Sequence, residues 1–399
     1  MNAGDTASKA SAALSEGAGV TMGVEEEFLL VSRGSHLPVG DAAAVVAGVG
    51  PADLAGESRA VCELWDTEVE ASTGICSDLA QVRDQLTRNR AALRRSARAR
   101  GVELVPAGHP LLGAETAPPR RDGHYGWMSD TYAGALADQE ICGCHVHVGL
   151  GDRELGVAVL NHLAPWLPTL LALTANSPFR RGRDTGFHSW RMMVLTRLPS
   201  SGIPPWFGSA AEYDADLVRL RECGLLPPGH GGLRLARLSD HLPTVEVRVA
   251  DTTATIDEVV LYAALVRGLV RAALDELDAG REARRCGDTV LGDALWAAAR
   301  HGLDGPAVDP WSGMRTSPHT MASRLYRHTE DALTATGDLG EVRTLLQALL
   351  TSGNGAMRQR IAAARHGVPG ALDVLVRGAE EGGTPPSAGS VTPLRRRVT

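Results

Sequence analysis

Three consecutive glutamates, Glu25, Glu26 and Glu27, sit inside the otherwise apolar run TMGVEEEFLLV at residues 21–31. Val24, Phe28, Leu29, Leu30 and Val31 are strand-forming residues, and Gly23 punctuates the entry. Side chains alternate along a strand. Glu25 and Glu27 therefore share one face, while Glu26 points with Val24, Phe28 and Leu30 to the other. Two carboxylates on one face of a buried strand repel each other and lose hydration. A cation between them, or arginines opposite them, sustains such an arrangement. A solvated edge strand is the plain alternative. The sharper reading is a site for a hard divalent cation, Mg²⁺ or Mn²⁺, with Glu26 a bystander.

The same design recurs twice. In ICGCHVHVG at residues 141–149, alternation puts Cys142, Cys144, Val146 and Val148 on one face and His145 and His147 on the other. Thiols and imidazoles on opposite sides cannot share a zinc ion, so the cysteines read as small core residues. In TVEVRVAD at 244–251, Val245, Val247 and Val249 form an apolar face opposite Glu246 and Arg248. A fourth acidic run, VCELWDTEVEAST at 61–73, holds Glu63, Asp66, Glu68 and Glu70. Glu68 and Glu70 share a strand face, whereas Glu63 needs a bulge to join Glu70. Exposed strand charge competes as the reading of Asp66 and Glu68. Strands with one apolar face and a same-face polar pair predict an α+β fold. Its sheet is mostly antiparallel, with helices packed on the apolar face and a chemical site on the polar one.

Helical spacing of Leu79, Val82, Leu86 and Leu93 predicts a helix over 78–100, capped by Ser77. Its arginines, Arg88, Arg90, Arg94, Arg95, Arg98 and Arg100, read as a solvated face. Residues 152–174 form the most apolar helix, which Pro165 and Pro168 kink or split. Thr255 and Glu258 make a capping box that opens a helix reaching Gly280. The Pro/Gly-rich connection 109–132, with His124, Tyr125 and Trp127, has the length of a site-covering loop. The loop NSPFRRGRDTGFHSWR at 176–191 has two open readings, a solvated surface or an anion-binding segment. Residues 1–20 and 379–399 read as disordered tails flanking one catalytic domain over 21–378.

Of the 40 lysines and arginines only Lys9 is a lysine, and it lies in the amino-terminal stretch. A phosphate loop ending in Gly-Lys-Ser/Thr and Schiff-base chemistry are both excluded. Arginine and metal must supply any countercharge to phosphate. The net charge of −7 excludes a nucleic-acid surface as the main business. No apolar run has membrane-spanning length and no secretory signal opens the chain, so a cytoplasmic protein with no membrane partner is expected. Six cysteines in such a chain read as reduced. Carboxylates, imidazoles and arginines without a nucleophile–base triad point to phosphoryl transfer from a nucleotide.

The ordered set GVEEEFLL, VE-x-x-T at Val69–Thr73, GCHVHVG, NSPF-x-x-GRDTG, EVR-x-AD and GAMRQR resembles the second family of glutamate–cysteine ligases, from about residue 20 to about 375. That resemblance implies a glutamine-synthetase-like catalytic fold and an ATP-dependent carboxylate–amine ligase working through an acyl phosphate. It implies ATP and Mg²⁺ or Mn²⁺ as cofactors, small-molecule carboxylate and amine substrates, and a homodimer. It assigns Glu25, Glu27, Glu63, Glu70, His145 and Glu246 to metal, and Glu25, Glu246 and Arg248 to catalysis. Arg248 would bind the transferring phosphate. His147, Asn176, Arg183, Asp184 and Arg191 would line the nucleotide or carboxylate pocket. After GRDTG the family usually continues with tyrosine, then arginine followed by glutamine and tryptophan. This chain has Phe187, His188, Met192, Met193 and Leu195 there. The softer segment leaves room for other carboxylates and amines, as in specialised metabolism; a metal-dependent hydrolase is the alternative class.

Overall fold

The structure, a computed structural model, describes residues 6, 8–10, 12, 13, 17–113, 119–137, 139–227 and 229–380. A seven-stranded sheet organises them, built from β1 (Met22–Ser32), β2 (Arg59–Cys62), β3 (Glu68–Ser72), β4 (Val102–Val105), β5 (Gly143–Gly149), β6 (Ala236–Leu238) and β7 (Thr244–Asp251). The order is β2-β3-β1-β5-β7-β6, with β4 pairing the end of β1, and every pair is antiparallel. The expected α+β class with a mostly antiparallel sheet is what the chain forms.

Alternation is obeyed on all three motif strands. Val24, Cys144, Val146, Val148, Val245, Val247 and Val249 enter one core with the Arg153–Leu163, Leu167–Thr174 and Ile256–Asp278 helices. Pro165 and Pro168 do split the apolar run, leaving a short 3₁₀ turn at Ala164–Trp166. Among the described residues the run Arg153–Thr174 is long and apolar enough to cross a bilayer, but it is 94% buried inside the protein. Interior helices satisfy the same criterion. The Thr255–Glu258 capping box opens the long helix as expected.

Two expectations are corrected. The Leu79–Arg98 helix is capped by Asp78, whose carboxylate accepts from the Gln81 N–H, and not by Ser77. Arg90 of that helix is only 1% exposed, and it lies on the apolar stripe rather than on a solvated face. Its guanidinium donates to both oxygens of Glu26 and to the carbonyls of Thr253 and Ala254. Glu26 is outside the polar site, as alternation requires, yet it is a buried ion-pair partner and no bystander. A carboxylate on the core face of β1 demands that cation.

The tail expected over residues 1–20 is, at its described positions, docked chain. Ala10 is fully buried in the main core, the Gly19 N–H donates to Gly149 O at 2.8 Å, and Arg271 donates to Ala18 O at 3.0 Å. Small alanines fit against the helix layer, and Arg271 satisfies the backbone they expose. Of the tail expected from 379 onward, residues 379 and 380 end the Gly355–Glu380 helix, which kinks at Gly367 (φ 69°) before Pro369. Residues 381–399 lie outside the described ones.

Candidate active site

Strand register builds the site. Glu25 pairs with His145 across β1 and β5, His147 with Glu246 across β5 and β7, and Glu27 with Glu70 across β1 and β3. A shift in register between Cys144 and Val146 adjusts β5 against β7. Glu63 arrives differently from expectation. It follows the last residue of β2, so the turn to β3 delivers it and strand parity does not apply; its N–H donates to Glu68 O at 3.4 Å.

Three groups of possible ligands overlap here. Glu25, Glu70 and His145 form one, Glu25, His147 and Glu246 the next, and Glu27, Glu63 and Glu70 the third. Within each, one ligand atom per residue lies within 4.8 Å of the others. The imidazoles are held from behind. His145 Nδ1 lies 3.0 Å from Glu25 Oε2, and His147 Nδ1 lies 2.9 Å from Thr244 Oγ1. Both Nε2 atoms are buried without a hydrogen-bond partner. If His145 Nδ1–H donates to Glu25, its Nε2 lone pair faces Glu27 Oε1 at 3.7 Å. Two acceptors facing each other in a buried site need a proton or a cation between them.

The electrostatics agree. Burial, reinforced by the charge of Glu63, pushes Glu27 up to about 7. Burial likewise raises Glu63 and carries Glu70 well above the usual carboxylate range, the latter with the help of Glu63. Burial and the Arg248 charge pull His145 down to about 4, so its imidazole is neutral and ligand-ready at pH 7. Glu25 and Glu246 go the other way. Burial would raise each, but the His145 hydrogen bond and the His147 ring 3.3 Å away outweigh it at Glu25, and the charges of Arg248 and Arg237 outweigh it at Glu246.

A cavity of about 340 Å³ opens on this face, at the lower end of small-molecule sites. Glu25, Glu27, Glu63, Glu68, Glu70, His145, Arg191 and Arg248 line it. Arg248 donates to Glu246, which Arg237 also grips at 2.9 Å. Arg191 is buried, and its guanidinium reaches the carbonyls of Arg248 (3.2 Å) and Val249 (3.4 Å). Gly143 makes room for it, since a Cβ there would fall 2.3 Å from Arg191 Nη2. The His124–Tyr132 helix of the 109–132 connection covers the carboxylates, with Tyr125 donating to Glu63 at 3.3 Å.

Asn176, Arg183 and Asp184 are not among the lining residues. Asn176 is buried, donating to Pro106 O and Thr252 O at 2.8 Å and accepting from Gln359 at 2.7 Å. Arg183 and Asp184 lie in an exposed two-residue hairpin against Phe179–Arg180, where Asp184 pairs with Arg360 at 2.8 Å. Three residues carry weight the sequence did not announce. Asp251 accepts from the Asn176 N–H, Ser177 and Ser189, fastening the 176–191 loop to β7. Tyr125 was visible only as an aromatic in a long loop, and nothing marked Arg237 among so many arginines.

The model of glutamate–cysteine ligase family 2 matches residues 21–383. A Saccharopolyspora erythraea protein provisionally named glutamate–cysteine ligase 2-2 is 46% identical over 350 residues, spanning 88% of this chain and 90% of that one. A Salinispora arenicola protein, provisionally named glutamate–cysteine ligase 2, is 41% identical over 345 residues, 86% of this chain and 90% of that one. The crystal structure of Francisella tularensis glutamate–cysteine ligase in complex with AMP superposes with a TM-score of 0.59 at 15% identity. The match covers 90% of this chain and 88% of that one. A bifunctional glutathione synthetase from Pasteurella multocida gives 0.63 at 14% identity, over 90% of this chain and 52% of that one. The two structures share the fold, and the sequences share the family: this chain belongs to glutamate–cysteine ligase family 2.

Proposed function

We propose that this ligase uses ATP to phosphorylate a small carboxylate and lets an amine displace the phosphate, in the manner of glutamate–cysteine ligase. The observation that carries the reading is one cavity lined by Glu25, Glu27, Glu63, Glu70 and His145 from β1, β3, β5 and the β2–β3 turn, with His147 and Glu246 gathered beside Glu25 in an adjoining ligand group. Carboxylate oxygens with imidazole nitrogens are a donor set for Mg²⁺ or Mn²⁺. Glu25, Glu27, Glu63, Glu70, His145, His147 and Glu246 would hold it. Bound there, such ions would neutralise phosphate oxygens and align the nucleotide.

The chain's own groups do the rest by position and charge. Glu246 and Arg237 hold the Arg248 guanidinium at the cavity, where it faces incoming phosphate. Arg191, braced on two β7 carbonyls, adds a second fixed cation. Fixed charges in a partly dry site stabilise a transferring phosphoryl group without reorganising. Tyr125 and its helix exclude water from the acidic end. Arg191 lines the cavity where nucleotide or substrate would lie, while His147 stands beside it in the ligand group of Glu25 and Glu246; Asn176, Arg183 and Asp184 support the 176–191 loop. The cytoplasmic location and homodimer expected from the sequence belong to this proposal, and light scattering tests the dimer.

The deciding experiment incubates the protein with Mg-ATP and crossed panels of carboxylates and amines, following phosphate release and the mass of any amide. Product that requires both partners supports the ligase. Hydrolysis that needs neither partner would favour the metal-dependent hydrolase instead.

A further inference from the structure

The Asp251 carboxylate, at the end of β7, is fully buried and does not line the cavity. It accepts from the Asn176 N–H at 2.8 Å, the Ser177 hydroxyl at 2.7 Å and the Ser189 hydroxyl at 2.8 Å. Both serines pass the hold on. Ser177 Oγ accepts from the Arg191 N–H at 3.0 Å, and Ser189 Oγ caps the Trp190–Leu195 helix by accepting from the Met192 N–H at 3.1 Å. The carboxylate also lies 3.8 Å from Arg191 Nη1. Its fit is close, since a Cβ on Gly108 would fall 2.7 Å from Asp251 Cγ. Burial pushes this carboxyl upward, and the Arg191 charge is the leading influence that opposes it.

We propose that Asp251 is a positioning residue for the ligase reaction, holding Arg191 at both ends so that its guanidinium stands at the cavity before substrate arrives. The inference rests on the ligase reading and on Arg191 serving it as a fixed cation. An arginine side chain has many rotamers, and ordering them during the reaction would cost rate. Here the backbone is set through Ser177, and the guanidinium is set by the Asp251 charge and the carbonyls of Arg248 and Val249. A cation ordered in advance stabilises developing phosphate charge without reorganising. Asp251 does not line the cavity, so it acts on the reaction through Arg191. Fastening the 176–191 loop to β7 is the competing role, and that role alone would not single Arg191 out.

The test uses the full-length protein with Mg-ATP and a carboxylate–amine pair that wild type accepts, scored as accumulated amide so that slow turnover is still read. Asp251→Asn keeps the side-chain volume but removes the charge, and it lowers kcat/KM on the order of 10²-fold. In an Arg191→Met background the same change costs no more than about 2-fold further, because the group it acts through is gone. Ser177→Ala removes the hydroxyl between Asp251 and the Arg191 N–H. Its smaller loss likewise vanishes beside Arg191→Met, and it carries the cycle if Asp251→Asn fails to fold in a thermal melt. Equal losses in both backgrounds would leave Asp251 and Ser177 as loop fasteners and overturn the inference. Near wild-type kinetics in Asp251→Asn or in Arg191→Met would overturn it too, and the ligase reading survives each of these results. No amide from wild type with any pair sinks that reading and the inference with it.

Discussion

Glu27 on β1 stands directly across from Glu70 on β3, and the β2–β3 turn adds Glu63 to the pair. Burial pushes all three carboxyls upward, so the apo protein pays for gathering them. A divalent cation relieves that cost only in the folded state. Titrating Mg²⁺ or Mn²⁺ should raise the melting temperature by several degrees, since about 100 Kd of ligand adds roughly 2.7 kcal/mol. Glu70→Gln should blunt the rise. Melting curves insensitive to both ions and to chelator would remove the metal assignment.

Gly143→Ala tests the clearance behind Arg191. The added methyl meets Arg191 Nη2 at 2.3 Å and His145 Nε2 at 3.0 Å, so one of the two must move. Overpacking of this kind costs about 1–3 kcal/mol, and a misplaced catalytic cation on the order of 10²-fold in turnover. Wild-type kinetics in this variant would show that Arg191 has no positional role.

Arg90→Met leaves Glu26 as an uncompensated charge on the core face of β1. The expected loss is about 3–5 kcal/mol, read by urea unfolding. Joined with Glu26→Gln it should recover much of that loss, because the charge that needed a partner is gone. Additive losses in the double variant would mean that the two do not act as a pair.

Three elements show how far the sequence could be read. Where side-chain period and burial coincide, as at Glu25/Glu27, His145/His147 and Glu246/Arg248, alternation alone identified the polar face. Arg90 was hidden by composition. Four residues beyond Leu86, it continues the apolar stripe, but a chain so rich in arginine makes every helical arginine look solvated. Glu63 was misjudged because strand parity was applied to a turn residue, and turn geometry is set by partners distant in sequence. Asn176 reads as a ligand group in its motif, yet its hydrogen bonds to Pro106, Thr252 and Gln359 depend on tertiary contacts that no local pattern encodes.

Acid stability should depend on His188 and His162. Burial pulls both down to about 4. The native state keeps them neutral while the unfolded chain begins to bind protons near 6.5, so stability they preserve above that value is lost as pH falls toward 4. The slope is at most about 1.4 kcal/mol per unit for each histidine. With Mg²⁺ held saturating to fix the acidic cluster, His188→Gln should lose less stability than wild type between pH 7 and pH 5. Parallel curves would contradict the burial argument.

Glu25 touches two of the three ligand groups and both histidines, so Glu25→Gln should reduce turnover by at least about 10³-fold with little loss of fold. Near wild-type activity would dissolve the site as drawn.

The central claim, that ATP is spent on activating a carboxylate, is tested most directly by isotope transfer. A carboxylate substrate labelled with ¹⁸O is turned over with Mg-ATP and an accepted amine, and the released phosphate is analysed by mass. The account predicts one ¹⁸O atom in each phosphate released, because one carboxylate oxygen leaves with it. Unlabelled phosphate accompanying amide formation would contradict it.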